Sequence, residues 1–343
     1  MYVHALRTLA YTPRSLGLWW FTRRIRRVQR KKGNRAADAF FINHIGIHPS
    51  ELFNDSYYAD VVNYNLGMLM AHSGRAEEAS ELLSKTGLLP GPGGNMLFSD
   101  HQKESLALYE KQQAAAKRGM ASIIITSLPK SGSASLTQSL SELMGSPIMR
   151  LSTGRMPNYA LIQSWANRFS SGGLLTHDHF SATPHNLSVL QKAGISRIVV
   201  QVRDPRASTL SHINMKKSQG EKGFKKSKLT SAFKTIFPAH VEWLRSWVEA
   251  AHDTPWLTIH WVAFQDFKQQ PWETLGGIVE PYADSWPMRE IADKIAKKEG
   301  ALVTANFHQG NDNAWRKNAS PRLQKKMWKA IPNDVITFMG LQP

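Results

Sequence analysis

Residues 122–128 read Ser-Ile-Ile-Ile-Thr-Ser-Leu, an unbroken apolar run rich in β-branched side chains. Such a run, with no alternation, predicts a strand buried on both faces of a parallel sheet. Residues 197–202 (Arg-Ile-Val-Val-Gln-Val) and 256–261 (Trp-Leu-Thr-Ile-His-Trp) predict two more, and 174–180 a further strand-like run. After the first run come Pro129, Lys130, Ser131, Gly132, Ser133, Ala134 and Ser135, and then Leu136, Leu140, Leu143 and Met144 return at helical spacing. The second run ends in Arg203-Asp204-Pro205-Arg206-Ala207-Ser208, which opens another helix. Ahead of all this, from about residue 37 to 121, the period is helical, broken by Pro90, Gly91, Pro92, Gly93 and Gly94. The pattern predicts an α/β domain with a central parallel sheet and flanking helices, preceded by an α-helical region.

Within that region Leu66, Gly67, Met70, Gly74, Ala79 and Leu83 are spaced as in one tetratricopeptide unit, which the segment resembles. The small residues stand where two antiparallel helices must approach closely. One repeat does not make a solenoid, which needs about three. The region therefore reads as a helical layer, with a peptide-binding platform as the alternative.

Composition narrows the chemistry. The chain has 343 residues, 42% hydrophobic and 20% charged, which describes a folded protein of about two domains. It has no cysteine, which excludes a disulfide scaffold, a thiolate nucleophile and a Cys-ligated metal. With 43 Lys+Arg against 26 Asp+Glu, the net charge of +17 predicts an anionic partner. Residues 1–35 hold ten of the Lys and Arg and no acid, and residues 216–234 hold seven Lys against Glu221. Near the start, Leu16, Gly17, Leu18, Trp19, Trp20 and Phe21 form an apolar run far short of the ~20 residues a span needs. Two readings stay open there: a segment lying on an anionic membrane surface, or a solvated basic tail or leader.

Strand, small-residue turn and helix is the layout of a phosphate-binding loop, in which backbone N–H groups and the helix amino end face an anion. The nucleotide-triphosphatase version places Lys after the second Gly. Here Lys130 precedes Gly132.

The arrangement instead resembles the 5′-phosphosulfate loop of the sulfotransferases, Pro-Lys-Ser-Gly-Thr-Thr-Trp. A second block is similar to that family's 3′-phosphate site: Arg203 at a strand end and Ser211 eight residues later. A third, Phe307-His308-Gln309-Gly310 with Trp315 five residues after the Gly, matches the family's Phe-Arg-Lys-Gly block in spacing, with His308 and Gln309 where the Arg-Lys pair stands. Residues 264–268, then Pro271, are a weaker likeness. The blocks follow in family order over about two thirds of the chain.

The resemblance implies a sulfuryl transferase using 3′-phosphoadenosine 5′-phosphosulfate (PAPS), leaving adenosine 3′,5′-bisphosphate (PAP), with no metal. It implies that Lys130 stabilises charge on the bridging oxygen, and that Ser131, Gly132, Ser133, Ala134 and Ser135 cradle the 5′-phosphate. Arg203 and Ser211 take the 3′-phosphate, with His308, Gln309 and Gly310 beside it and Arg206 and Arg316 as compensating cations. Ser135 replaces the family's stacking Trp, which makes Phe264 the candidate for adenine. The general base falls in Thr176-His177-Asp178-His179, with His179 preferred over His177. A metal reading of His-Asp-His lacks further ligands.

The expectation is a basic tail over 1–35, a tetratricopeptide-like region over 36–120 and a three-layer sulfotransferase domain over 121–343. The acceptor expected is a hydroxyl of a glycan or lipid-linked sugar. No nucleic-acid partner is expected. The lack of a span suggests a cytoplasmic protein, soluble or peripheral to a membrane. Two alternatives stand beside this: a phosphate-loop kinase, and a non-catalytic helical-repeat adaptor with a degenerate nucleotide domain.

Overall fold

The structure is a computed structural model. It describes residues 63–64, 67–68, 70–72, 74–89, 99–156, 158–218, 229–303 and 313–343, with Arg24, Arg27, Val28 and Lys31 from the basic tail. The remainder of residues 1–35, and His308, Gln309 and Gly310, lie outside the described residues. The chain forms two compact units, one from residues up to Lys111 with Met149–Ser170, the other from Gln112–Ile148 with Ser171–Pro343. Residues 149–170, inside the span expected to be catalytic, thus group with the helical region.

In the first unit the helical residues 63–64, 67–68 and 70–72 precede Gly74, φ +84°, and the helix Ala76–Lys85. A Cβ on Gly67 would stand 2.5 Å from Leu83 Cγ, so the two helices can meet at this distance only over a glycine. The hairpin β3 (Ser152–Arg155) and β4 (Asn158–Leu161) and the helix Gln163–Phe169 complete the unit. Two hydroxyls from Ala76–Lys85 cap that last helix: Ser80 Oγ accepts from Gln163 N and Ser84 Oγ from Ser164 N, both at 3.1 Å. Among the described residues the β-hairpin packs on the helix Ala76–Lys85.

The second unit is α/β. Strands β1 (Ile125–Ser127), β6 (Arg197–Val202) and β7 (Thr258–Ala263) form a parallel sheet in the order β1-β6-β7. The run after β5 (Leu175–Thr176), a strand of two residues like β2 (Ile148–Met149), lies along the other side of β1 through the parallel bridges Ile123↔Leu175 and Thr126↔Asp178. Strand β1 is shorter than its apolar run, and β7 is shifted two residues onward to Ala263. The core is the expected one: Ile123, Ile125, Leu136, Leu140, Val199 and Val262 are all within 2% of full burial. Since the strands are parallel, their carboxyl ends lie together. The loops after β1, after the β5 run and after β6 therefore converge, which is where open α/β sheets place ligands.

Candidate active site

Three segments meet at those ends. The first is the turn 129–135 between β1 and the helix Ser133–Met144. Gly132 is left-handed at φ +84°, and a Cβ there would lie 3.0 Å from the Phe264 ring. Lys130 is also left-handed, at φ 68°, a state that costs an L-residue about 1–2 kcal/mol. Leu128 O accepts from Ser131 N at 3.2 Å and from Ser131 Oγ at 2.6 Å, closing the turn. Leu136 N begins the helical ladder on Gly132 O. The N–H groups of Ser133, Ala134 and Ser135 precede that ladder at the positive end of the helix. Ser135 Oγ is buried without a hydrogen-bond partner among the described residues.

The second segment is Arg203. It is 6% exposed, donates from Nη1 to Lys130 O at 2.8 Å, and lies 4.2 Å over the Phe264 ring. Phe264 is therefore a buried floor beneath Gly132 and Arg203, and does not offer the open adenine-stacking face expected of it. Lys130 is half-buried, its Nζ 3.6 Å from Met215 Sδ. Burial, and then the nearby Arg203 cation, hold its pKa below the ordinary lysine value. Ser211 stands half-buried on the helix Pro205–Ser218.

The third segment carries the histidines. Their rings lie edge to face, 5.3 Å apart, as two residues of one strand-like run on one face. His177 Nε2 is 2.9 Å from Ser133 Oγ, which ties it to the turn. His179 Nδ1 is 2.8 Å from Ser127 O, with Ser127 Oγ at 3.1 Å. A carbonyl accepts only, so Nδ1 carries the hydrogen and Nε2 the lone pair. The backbone leaving His179 is fixed by Trp243 Nε1, donating to His179 O at 3.1 Å and Phe180 O at 2.9 Å, and by Trp247 Nε1, donating to Phe180 O at 3.2 Å. Among the described residues no group of three or more His, Asp or Glu is arranged for a metal ion.

Arg206, expected as a compensating phosphate cation, is committed elsewhere. It is 2% exposed, pairs with both Asp204 carboxylate oxygens, and lies over Trp315 at 4.2 Å and Trp328 at 5.4 Å. Arg316 shares the Trp315 ring at 4.7 Å. The Asp204-Arg206 pair is a clasp for the helices Ala314–Asn318 and Pro321–Lys329.

No family model and no curated protein matches the chain. Among solved structures it is similar to a mouse sulfotransferase, SULT7A1, complexed with PAP, at 14% identity and TM-score 0.43, covering 66% of this chain and 88% of that one. It is similar also to a retinol dehydratase in complex with androsterone and inactive cofactor PAP, at 14% identity and TM-score 0.42, covering 74% and 90%. At these scores the α/β assignment rests on the strand order of the chain itself.

Several residues at the site escaped the sequence reading. Gln201, directly across from Ser127 in the sheet, has both amide atoms buried and without partners among the described residues. A Gln inside the apolar run 197–202 was the available signal. His240 and His212 stack at 5.5 Å behind the turn, and His240 is fully buried. Burial, His212 and His179, in that order, hold the His240 pKa well below the ordinary histidine value. A His in the middle of the long apolar helix Leu229–Asp253 was the signal there.

Proposed function

We propose that the chain transfers a sulfuryl group from PAPS to a hydroxyl acceptor. The observation that carries this reading is Lys130, held in a left-handed turn at the amino end of a helix, with the Arg203 guanidinium on its carbonyl and His179 in the tautomer of a base. The residues fit the donor. Buried Ser135 Oγ and the Gln201 amide group lack partners among the described residues, and the surrounding donors are cationic or N–H, as a bisphosphorylated nucleotide requires.

Bound there, PAPS supplies an activated sulfuryl group with a phosphate leaving group. The N–H groups of Ser133, Ala134 and Ser135 bind and orient the 5′-phosphate, and Lys130 neutralises charge on the leaving side. Arg203 gives a planar fork to the 3′-phosphate, with Ser211 as a hydroxyl donor. His179 Nε2 takes the proton of the acceptor hydroxyl, while Ser127 O holds its Nδ1–H. His177, tied to Ser133, steadies the turn. The transfer needs positioning and positive charge, and this chain's own residues provide both. The acceptor proposed is a carbohydrate or glycolipid hydroxyl, in keeping with the +17 charge and the lysines of residues 216–234. No helix among the described residues is long and apolar enough to cross a membrane.

The test is thermal stability with PAP, against ADP and against ATP with magnesium. At ~100-fold its dissociation constant a ligand adds about 2.7 kcal/mol. Stabilisation by PAP alone is the expected result. A response confined to ATP with magnesium would replace this reading with a kinase, and no response to any of them would replace it with an adaptor.

A further inference from the structure

Both peptide groups flanking the strained Lys130 are held from outside the turn. Arg203 Nη1 donates to Lys130 O at 2.8 Å, and Ser208 Oγ donates to Pro129 O. Ser208 has one hydroxyl hydrogen, and Pro129 O takes it. Its contact with His240 Nδ1 at 3.2 Å therefore requires the imidazole to donate and the Ser208 oxygen to accept. Thr209 Oγ1 lies 3.1 Å from the same Nδ1. The His240 lone pair then sits on Nε2, which His212 Nδ1 faces at 3.4 Å. The chain of bonds runs in one direction, from His212 through His240 and Ser208 to the carbonyl preceding Lys130. Full burial of His240 keeps it in the neutral form that this direction needs.

We propose that His240, backed by His212, is a positioning residue for Lys130. It fixes the Ser208 hydroxyl on Pro129 O and so holds the left-handed turn that presents the Lys130 ammonium. Its role in transfer rests on the reading of Lys130 as the cation at the leaving side.

The test compares His240→Leu, His240→Asn and Ser208→Ala in the full chain. Each is read at Lys130 by competitive acetylation across pH with mass-spectrometric detection, against exposed Lys192 as reference. Asn keeps an N–H donor near the Nδ1 position. Lys130 titrates below the ordinary lysine value in the wild type; His240→Leu and Ser208→Ala move it up towards that value, and His240→Asn leaves it low. With PAPS and an acceptor, His240→Leu lowers kcat about tenfold or more while KM for PAPS stays within about threefold, and Asn restores kcat. If His240→Leu does not fold, Ser208→Ala and the Asn variant decide. An unchanged Lys130 titration in Ser208→Ala, or an Asn variant that fails to hold it low, overturns the proposal. If the wild type neither binds PAP nor transfers, the functional reading fails, and the Lys130 titration still judges the brace.

Discussion

Arg203 and Arg206 leave the same strand end three residues apart, both nearly buried, and meet opposite fates. Arg203 has its face on Phe264 and one donor on the Lys130 carbonyl. Arg206 has both oxygens of Asp204 and two indoles. Arg206 has its charge cancelled within two residues, whereas the contacts of Arg203 at the turn are a carbonyl and a ring. What separates them is the neighbouring side chains, since the residue type and the burial are shared. A buried guanidinium with a bidentate carboxylate is a structural joint. One held by a neutral carbonyl and a ring still carries a field.

The largest expected effect tests the joint. Arg206→Ala leaves Asp204 without its partner and empties the space between Trp315 and Trp328. It should lower stability by about 3–5 kcal/mol, seen in urea unfolding as a shifted midpoint with an unchanged slope. Next comes Arg203→Ala. It should weaken PAP binding about 100-fold or more, as expected for losing a charge-assisted fork on phosphate, read by calorimetry. The comparison breaks if the two outcomes are exchanged, with Arg206→Ala folding normally and losing PAP.

Much of this site was legible in the sequence because phosphate chemistry is local. A turn of small residues after a buried strand, and an Arg at the next strand end, are patterns of adjacent residues, and parallel pairing brings them together. The contacts that tune them are not local. Ser208 was legible as a residue of the next helix, but its bond to Pro129 O spans the gap between two strands. Phe264 was visible as an aromatic near the right place. That its ring would be covered by Arg203 depends on β7 pairing beside β6. Arg206 looked like a second phosphate cation because it follows Arg203 by three residues at the same strand end, and that its guanidinium would fold back onto both Asp204 oxygens is a side-chain contact the sequence does not display.

A smaller effect comes from pH. The folded state holds His240 well below the ordinary histidine value of 6.5, and burial lowers His260 as well. Between the folded and unfolded pKa values the unfolded chain binds more protons, so stability rises with pH there. Stability is therefore full above about 6.5 and falls progressively as pH drops below it. Urea midpoints from pH 7.5 to 5 should show this decline, and His240→Asn should make it shallower without abolishing it, since His260 remains. An equal slope in the variant would mean that His240 takes up its proton in the folded state as readily as in the unfolded chain.

The smallest effect sharpens the comparison most. Arg316 shares the Trp315 ring with Arg206 but is half-buried, with no carboxylate partner among the described residues. It stacks on an indole as Arg206 does, without the bidentate carboxylate that Arg206 has. If stacking on the indole is its work, Arg316→Ala costs about 0.5–1 kcal/mol of stability and leaves PAP affinity unchanged. If its charge reaches the 3′-phosphate, stability holds and PAP affinity falls, by a smaller factor at high salt because a half-buried cation is still partly screened. The geometry favours the first outcome, because a guanidinium lying over a ring has its position set by that ring. The second would mean that a basic side chain of the helix Ala314–Asn318 supplies a cation to the 3′-phosphate.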